Sequence, residues 1–293
     1  MNILLLRVQL KNNYGYPSII SSLPFLWGKY DNNLKLTTFS KDKSEEEEKL
    51  RKLYNISYID FSEISKIKRF LFVLYKCLFF KFFGKIIGNN IVSKQLKKLI
   101  EYDAIVDMSG ICLTDSFPSP SIHKFILSYR FHLFVKLLKI PIVKYTTTIG
   151  PIYKSSTKLA AKYYLGFLCN LVLLRDNESM ILYKKLKIKT QVLEVPDTAF
   201  FMPIVACDKS NEFDKIKGKI PIIGISISFQ LNNRIEAYVE KLTDLINKIQ
   251  NFLNAKIILI PNQVSPKNPA ECDEYLSKNI LNLVKKENIE ILN

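Results

Sequence analysis

Six short polar clusters interrupt a chain that is otherwise apolar and basic, and each carries groups suited to a small anion or a sugar. They are Asn13-Tyr14-Gly15, Asp107 with Ser109-Gly110, Gly150-Pro151, Arg175-Asp176 with Ser179, Pro196-Asp197, and Pro261-Asn262. A guanidinium such as Arg175 can fork onto a phosphate or carboxylate. A glycine lets backbone approach a ligand closely, as Gly15 and Gly110 would. Gly150-Pro151 offers backbone N–H groups, or the start of the next helix, to an anion. Asp107 is a candidate general base, and Tyr14 can stack on a sugar ring or simply pack. Each group also has a plainer reading. Arg175 and Asp176 can form an ion pair at a strand end, Asp107 can cap a neighbouring helix, and Asp197 can orient a loop.

Several chemistries lack their signatures. Neither GxGxxG nor a P-loop occurs, so a dinucleotide cofactor has no support. GxSxG is absent, and the two histidines, His123 and His132, stand nine residues apart in one expected helix. That spacing is not the i, i+4 of a metal pair, and both read as surface or packing residues. The five cysteines, Cys77, Cys112, Cys169, Cys207 and Cys272, form no CxxC pair and no cluster with histidine. No metal site or disulfide framework is expected, and a reducing, cytoplasmic compartment fits.

The elements that would carry these clusters follow from apolar patterning. Buried-type strands are expected at 2–6, 34–39, 58–61, 104–107, 141–147, 171–174 and 191–195, with helices between them at 19–27, 44–53, 65–100, 122–138, 157–168 and 178–186. Ser44 with Glu47 forms a capping box for the second helix. After a polar stretch at 203–218, strands are expected at 221–227, 256–260 and 289–292, and helices at 235–253 and 274–286. Strands alternating with helices predict parallel sheets of Rossmann-like layers. Ligands of such sheets bind beyond the carboxyl ends of the strands, where all six clusters fall. The expected division is residues 1–205 and 218–293; the second unit holds three strands and ends without closing helices, so it reads as incomplete or as covered by a partner.

The formal net charge of +16 suits an anionic partner: a phosphorylated substrate, a membrane surface or nucleic acid. The lysines are scattered, and no nucleic-acid-binding motif accompanies them, so nucleic acid is not expected. Residues 70–83 are the most apolar of the chain but too short to span a bilayer. Lys66, Lys68, Arg69 and Lys85 flank them. The segment reads either as a buried helix or as a helix lying on the anionic inner membrane face. No feature speaks to oligomeric state.

Taken in order, four segments resemble the polysaccharide pyruvyl transferase family. They are Tyr102-Asp103-Ala104-Ile105-Val106-Asp107-Met108-Ser109-Gly110, Thr148-Ile149-Gly150-Pro151, Leu174-Arg175-Asp176-Asn177-Glu178-Ser179 and Val195-Pro196-Asp197-Thr198-Ala199-Phe200. Ile223-Gly224-Ile225-Ser226-Ile227 and Ile257-Ile258-Leu259-Ile260-Pro261 extend the likeness. The resemblance implies a GT-B-like α/β protein of two Rossmann-like domains, an N-terminal acceptor side and a C-terminal donor side. It implies transfer of the enolpyruvyl unit of phosphoenolpyruvate, a substrate rather than a cofactor, to a sugar as a ketal. On it, Asp107 and Arg175 are the expected catalytic residues. Asn13, Tyr14, Gly15, Ser109, Gly110, Gly150, Asp176, Ser179 and Asn262 are the expected binding residues. The chain departs from the family pattern at Ser109, where a second glycine is usual, and at Asn262, where a histidine is usual. An asparagine cannot shuttle a proton. The family's later arginine-histidine segment would lie beyond Asn293. A non-catalytic sugar- or anion-binding remnant, and a GT-B glycosyltransferase using a nucleotide sugar, are the alternative readings.

Overall fold

The computed structural model describes residues 1–8, 15–39, 45–61, 70–83, 91–116, 125, 128–202, 220–232, 235–263, 272–285 and 288–291. The chain divides into two units, the first built from Met1–Val8 and Ile19–Met202. Its elements, in order, are β1 (Asn2–Leu6), α1 (Gly15–Trp27), β2 (Lys35–Thr38), α2 (Glu45–Leu53), β3 (Ile56–Tyr58), α3 (Phe70–Phe83) and α4 (Ile91–Leu99). Then come β4 (Ala104–Asp107), β5 (Ile111–Cys112), α5 (Arg130–Leu137), β6 (Ile142–Ile149), α6 (Ser155–Ala161), β7 (Leu171–Leu174), α7 (Asn177–Lys185) and β8 (Gln191–Glu194).

Every pairing in the first sheet is parallel, in the order β3-β2-β1-β4-β6-β7-β8, with β5 added beside the end of β6. Central strands of such a sheet are covered on both faces, so they read as continuous apolar runs. β1 shows this: Leu4 and Leu5 are fully buried, and Leu4 lies opposite Thr37 of β2 and Ile105 of β4. The order reverses direction between β1 and β4. In this architecture ligands usually bind beyond the carboxyl ends of the strands at such a reversal.

Three expectations need adjusting. β3 begins at Ile56, two residues before the expected start, because Leu36 to Thr38 of β2 pair with Ile56 to Tyr58. Within 65–100 two separate helices stand, α3 and α4. The helix expected at 157–168 starts at Ser155 and changes hand-hold midway: Lys162–Leu168 is π-helical, ending with Cys169 N–H donating to Tyr164 O at 3.1 Å. Ser44 and the boundary stretch 203–218 lie outside the described residues, as does residue 219. Among the described residues, no helix is long and apolar enough to cross a membrane.

The second unit contains β9 (Ile222–Ile227), α8 (Phe229–Asn232), α9 (Tyr238–Leu253), β10 (Lys256–Pro261), α10 (Asp273–Leu283) and β11 (Ile289–Ile291). Its three strands are parallel, in the order β11-β10-β9. Ile257 and Leu259 of β10 pack with Ile246 of α9 and with Leu276 and Ile280 of α10. Gly224 leaves room for the Ile260 side chain of the neighbouring strand, since a Cβ there would lie 2.9 Å from Ile260 Cδ1.

Candidate active site

Two polar clusters stand at the carboxyl edge of the first sheet. The deeper one is centred on Asp107, the last residue of β4, which is fully buried. Its Oδ1 accepts from Ser109 N (3.0 Å), Ser109 Oγ (2.7 Å) and Lys144 Nζ (3.3 Å). Its Oδ2 accepts from Tyr164 OH (2.7 Å), meets His132 Nε2 at 3.0 Å, and lies 3.6 Å from Arg7 Nε. Lys144, on the central strand β6 and fully buried, also donates to Ser109 Oγ at 2.9 Å and to the Ser109 carbonyl. Arg7 leaves β1 with a left-handed φ of 59° and donates to Tyr129 OH at 2.8 Å. The π-helical segment sets Tyr164 within reach of the carboxylate; such segments recur at functional sites.

The electrostatics of this cluster follow from burial and charge. Burial pushes the Asp107 carboxyl up, but Lys144, Arg7 and His132 together hold it well below the usual carboxylate range. Burial lowers the Arg7 guanidinium, and Asp107 with Tyr129 and Tyr164 more than offsets that. His132 is lowered from 6.5, its burial outweighing the hydrogen bond and the charge of Asp107. A carboxylate only accepts hydrogen bonds, so His132 Nε2 carries the ring proton and Nδ1 is a bare acceptor. Nδ1 has no hydrogen-bond partner.

The shallower cluster is centred on Arg175, just after β7. Its Nε donates to Thr148 Oγ1 at 2.9 Å, and its Nη1 pairs with Asp197 Oδ2 at 2.5 Å. Thr148 in turn donates to Asp176 Oδ2 at 2.8 Å. Asp176 caps α7, accepting from Ser179 N at 2.7 Å. Ser179 Oγ accepts from Ile149 N at 2.9 Å, tying the helix start to the end of β6. Burial raises the Asp176 carboxyl, and bonds from Ser179 and Thr148 bring it below its usual value. The Arg175 side chain remains 23% exposed. A Cβ at Gly110 would lie 3.9 Å from Arg175 Nη1 and Nη2, so Ser109-Gly110 joins the two clusters.

The edge therefore gathers Asp107, Ser109, Gly110, Arg175, Asp176, Ser179 and Asp197 as the sequence suggested, but several roles differ. Arg175 pairs with Asp197, not with its neighbour Asp176, because β8 runs beside β7 and delivers Asp197 to the same edge. Asp107 is buried among Ser109, Lys144, Tyr164 and His132, with Arg7 3.6 Å away, and is held in its ionised form. The Gly150 N–H donates to Leu113 O at 3.1 Å, and Pro151 has none to give, which leaves only the next helix start of the two groups expected there. Gly150 has a φ of +89°, and a Cβ there would meet Leu182 Cδ2 at 2.4 Å. Gly15 is the first residue of α1; Asn13, Tyr14 and His123 lie outside the described residues.

In the second unit, Asn262 follows β10 and donates from Nδ2 to Ser226 Oγ at 2.6 Å. Buried Asp273 organises that edge, accepting from Phe229 N (2.8 Å), Asn262 N (3.1 Å) and Gln263 N (2.8 Å). Sequence reading missed Asp273, and it missed Arg7, Lys144, His132 and Tyr164. Lys144 did leave a trace, as a lone lysine inside an apolar strand.

The architecture defines the class: an α/β protein of two Rossmann-like, parallel-sheet units of GT-B-like kind. Solved structures share the fold. A glycosyltransferase from Rickettsia africae ESF-5 superposes with a TM-score of 0.55 at 14% identity, covering 99% of this chain and 67% of that one. A UDP-GlcNAc 2-epimerase from Neisseria meningitidis, bound to UDP-GlcNAc, gives 0.54 at 11% identity over 100% and 72%. Sucrose-phosphate synthase from Thermosynechococcus elongatus gives 0.51 at 8% identity over 100% and 70%. At such identities the likeness is one of fold. No curated protein matches the sequence. The sequence pattern of the polysaccharide pyruvyl transferase family matches residues 46–292, and the chain belongs to that family.

Proposed function

We propose that the protein transfers the pyruvyl unit of phosphoenolpyruvate to a sugar of a surface polysaccharide or its lipid-linked precursor, forming a ketal. Family membership supports this reading. The observation that carries it furthest is the bracing of Arg175. Its guanidinium is held on two sides by Thr148 and Asp197, stays partly open at the strand edge, and faces a glycine. A guanidinium fixed in this way loses little freedom on gripping an anionic group. In this proposal Arg175 is the catalytic residue of the first unit, neutralising charge on the donor. Ser109 and Gly110 line the approach, and Asp176 with Ser179 fixes the loop that carries Arg175. The second unit, with Asn262, is the donor side. No cofactor is called for, because phosphoenolpyruvate brings its own reactive enol.

Incubation with phosphoenolpyruvate and acceptor glycans tests the proposal. Acceptor-dependent release of inorganic phosphate, abolished in Arg175→Ala, is the expected result. Binding of phosphoenolpyruvate without phosphate release would instead favour the sugar- or anion-binding remnant. A second reading, a glycosyltransferase using a nucleotide sugar, draws on the fold it shares with proteins such as the UDP-GlcNAc-bound epimerase. Thermal protection by UDP or GDP, without protection by phosphoenolpyruvate, would favour that reading.

We also propose that the protein works at the inner membrane face. Helix α3 buries Val73 and Cys77 and exposes Phe72, Tyr75 and Leu78 on its other side, with Lys76 Nζ 5.0 Å from the Phe72 ring centre. An apolar face bearing lysine, on a chain of net charge +16, suits an anionic lipid surface.

A further inference from the structure

Asp197 divides its two carboxylate oxygens between two tasks. Oδ2 pairs with Arg175 Nη1, and Oδ1 accepts from Ala199 N at 3.0 Å. The second bond caps a short 3₁₀ turn, Thr198–Phe201. Phe200 N donating to Asp197 O at 3.1 Å and Met202 N donating to Ala199 O at 3.2 Å close the turn. Thr198 is buried and pins it to the body of the first unit. Val195 N donates to Leu174 O at 2.8 Å, so the turn starts directly beside the strand that Arg175 leaves. It ends in three exposed apolar residues, Phe200, Phe201 and Met202, of which Phe200 is 85% exposed. A single apolar side chain in water is ordinary. Three in succession, on a turn capped by the partner of a site arginine, form a small apolar patch at the strand edge. Side chains three residues apart in a 3₁₀ turn lie on one side of it. Phe200 therefore stands on the side of Asp197, which is turned toward Arg175, and Phe201 on the side of buried Thr198.

From this we infer that Phe200 is the platform on which a sugar ring of the acceptor stacks, held in register with Arg175 by Asp197. A pyranose carries its hydroxyls around the rim and C–H groups on its faces. A face can pack on an aromatic ring while the hydroxyls stay free to reach polar neighbours. An anion gains nothing from the phenyl ring, because the face of that ring is itself negative. A guanidinium and a bare aromatic side by side thus suit two different groups: the charge of the donor at Arg175 and the ring that receives the pyruvyl unit at Phe200. One carboxylate that holds both fixes their separation, and a fixed separation is what a reaction between two bound molecules needs. The platform rests on the transferase reading of this edge, and it adds to that reading a residue that selects the acceptor by the shape of its C–H face.

Fluorine NMR of the full chain carrying para-fluorophenylalanine at Phe200 tests this, with methyl glycosides of glucose, galactose, mannose and N-acetylglucosamine as probes. At least one of them should shift the resonance saturably. Affinity for that glycoside should fall about three- to tenfold in Phe200→Ala, the loss of one stacking contact, and return in Phe200→Trp. Tm should stay unchanged in both, since the ring packs on nothing that the fold needs. In an Asp197→Ala background the Phe200→Ala effect should shrink, because the turn no longer holds the ring in place. In the phosphate-release assay Phe200→Ala should raise the KM for acceptor by a similar factor and leave kcat unchanged. No shift with any of the four glycosides at about 10 mM, unchanged affinity in Phe200→Ala, or a lowered Tm in that variant would overturn the inference. Phosphate release with an acceptor KM that Phe200→Ala leaves untouched would remove the platform and leave the transferase proposal standing. Glycoside binding lost in Phe200→Ala, in a protein that never consumes phosphoenolpyruvate, would do the reverse.

Discussion

Replacing Asp107 by asparagine keeps the shape of the side chain and removes its charge. Five donors lie within 3.3 Å of the two carboxylate oxygens: Ser109 N, Ser109 Oγ, Lys144 Nζ, Tyr164 OH and His132 Nε2. The amide offers only one oxygen. Placed at the Ser109 side, that oxygen keeps three of these bonds and turns its NH₂ toward Tyr164 and His132. The Tyr164 hydroxyl can rotate and the imidazole can change tautomer, so the larger loss is ionic. Fully buried Lys144 and two-thirds-buried Arg7 lose the carboxylate they share. Breaking a buried pair by removing one partner costs about 3–5 kcal/mol. For a unit of this size, 1 kcal/mol shifts Tm by about 2–4 °C, so Asp107→Asn should melt roughly 6–20 °C lower. Adding Lys144→Met should recover part of this, with a coupling of about 0.5–3 kcal/mol. The carboxyl titrates below its unfolded value of 3.8. Its contribution is therefore complete above that pH and is lost as pH falls toward the folded value. The gap between wild type and variant should narrow accordingly in acid. A loss under about 1 kcal/mol, or strictly additive single and double variants, would refute the claim that this carboxylate anchors the site.

The depressed His132 titration makes a separate prediction. The folded ring resists protonation that the unfolded chain accepts below about 6.5, so stability should fall as pH drops from 6.5 toward the folded value. His132→Asn should flatten that slope in urea titrations at pH 7.5 and 5.5. Gly150→Ala should destabilise by about 2 kcal/mol or more, since alanine is strained at positive φ and its methyl would strike Leu182; Leu182→Ala in the same chain should relieve only the collision. Sedimentation with anionic vesicles should fall about tenfold in a Phe72→Ser, Tyr75→Ser double variant, as two aromatic side chains leave the interface. Equal sedimentation with neutral and anionic vesicles would remove the electrostatic part of the membrane proposal.

Much of the strand edge was legible in the sequence. Strands β1, β4, β7 and β10 announce themselves as short apolar runs ending in polar or small residues, and the loops after them carry Ser109, Gly110, Arg175, Asp176 and Asn262. Local signals sufficed there: Asp176 caps the helix that begins one residue on, reaching Ser179 three residues away. The deeper cluster was not legible. Asp107 meets His132 across 25 residues, Lys144 across 37 and Tyr164 across 57. His132 is buried and packed, one of the two readings expected of it, but helical spacing describes one helix and gave no sign of the aspartate on the strand that the helix packs on. Tyr164 depends further on a π-helical turn that no residue pattern marks.

Apolar runs alternating with helices determined on their own that this chain would form parallel α/β layers with its polar groups at the strand ends, because side-chain burial is a local choice between oil and water. Which groups meet there was decided only by strand order. Placing β1 against β4, and β6 beyond it, puts one aspartate between an arginine and a lysine. That order is settled by packing over the whole sheet, where the energy of each pairing depends on every other.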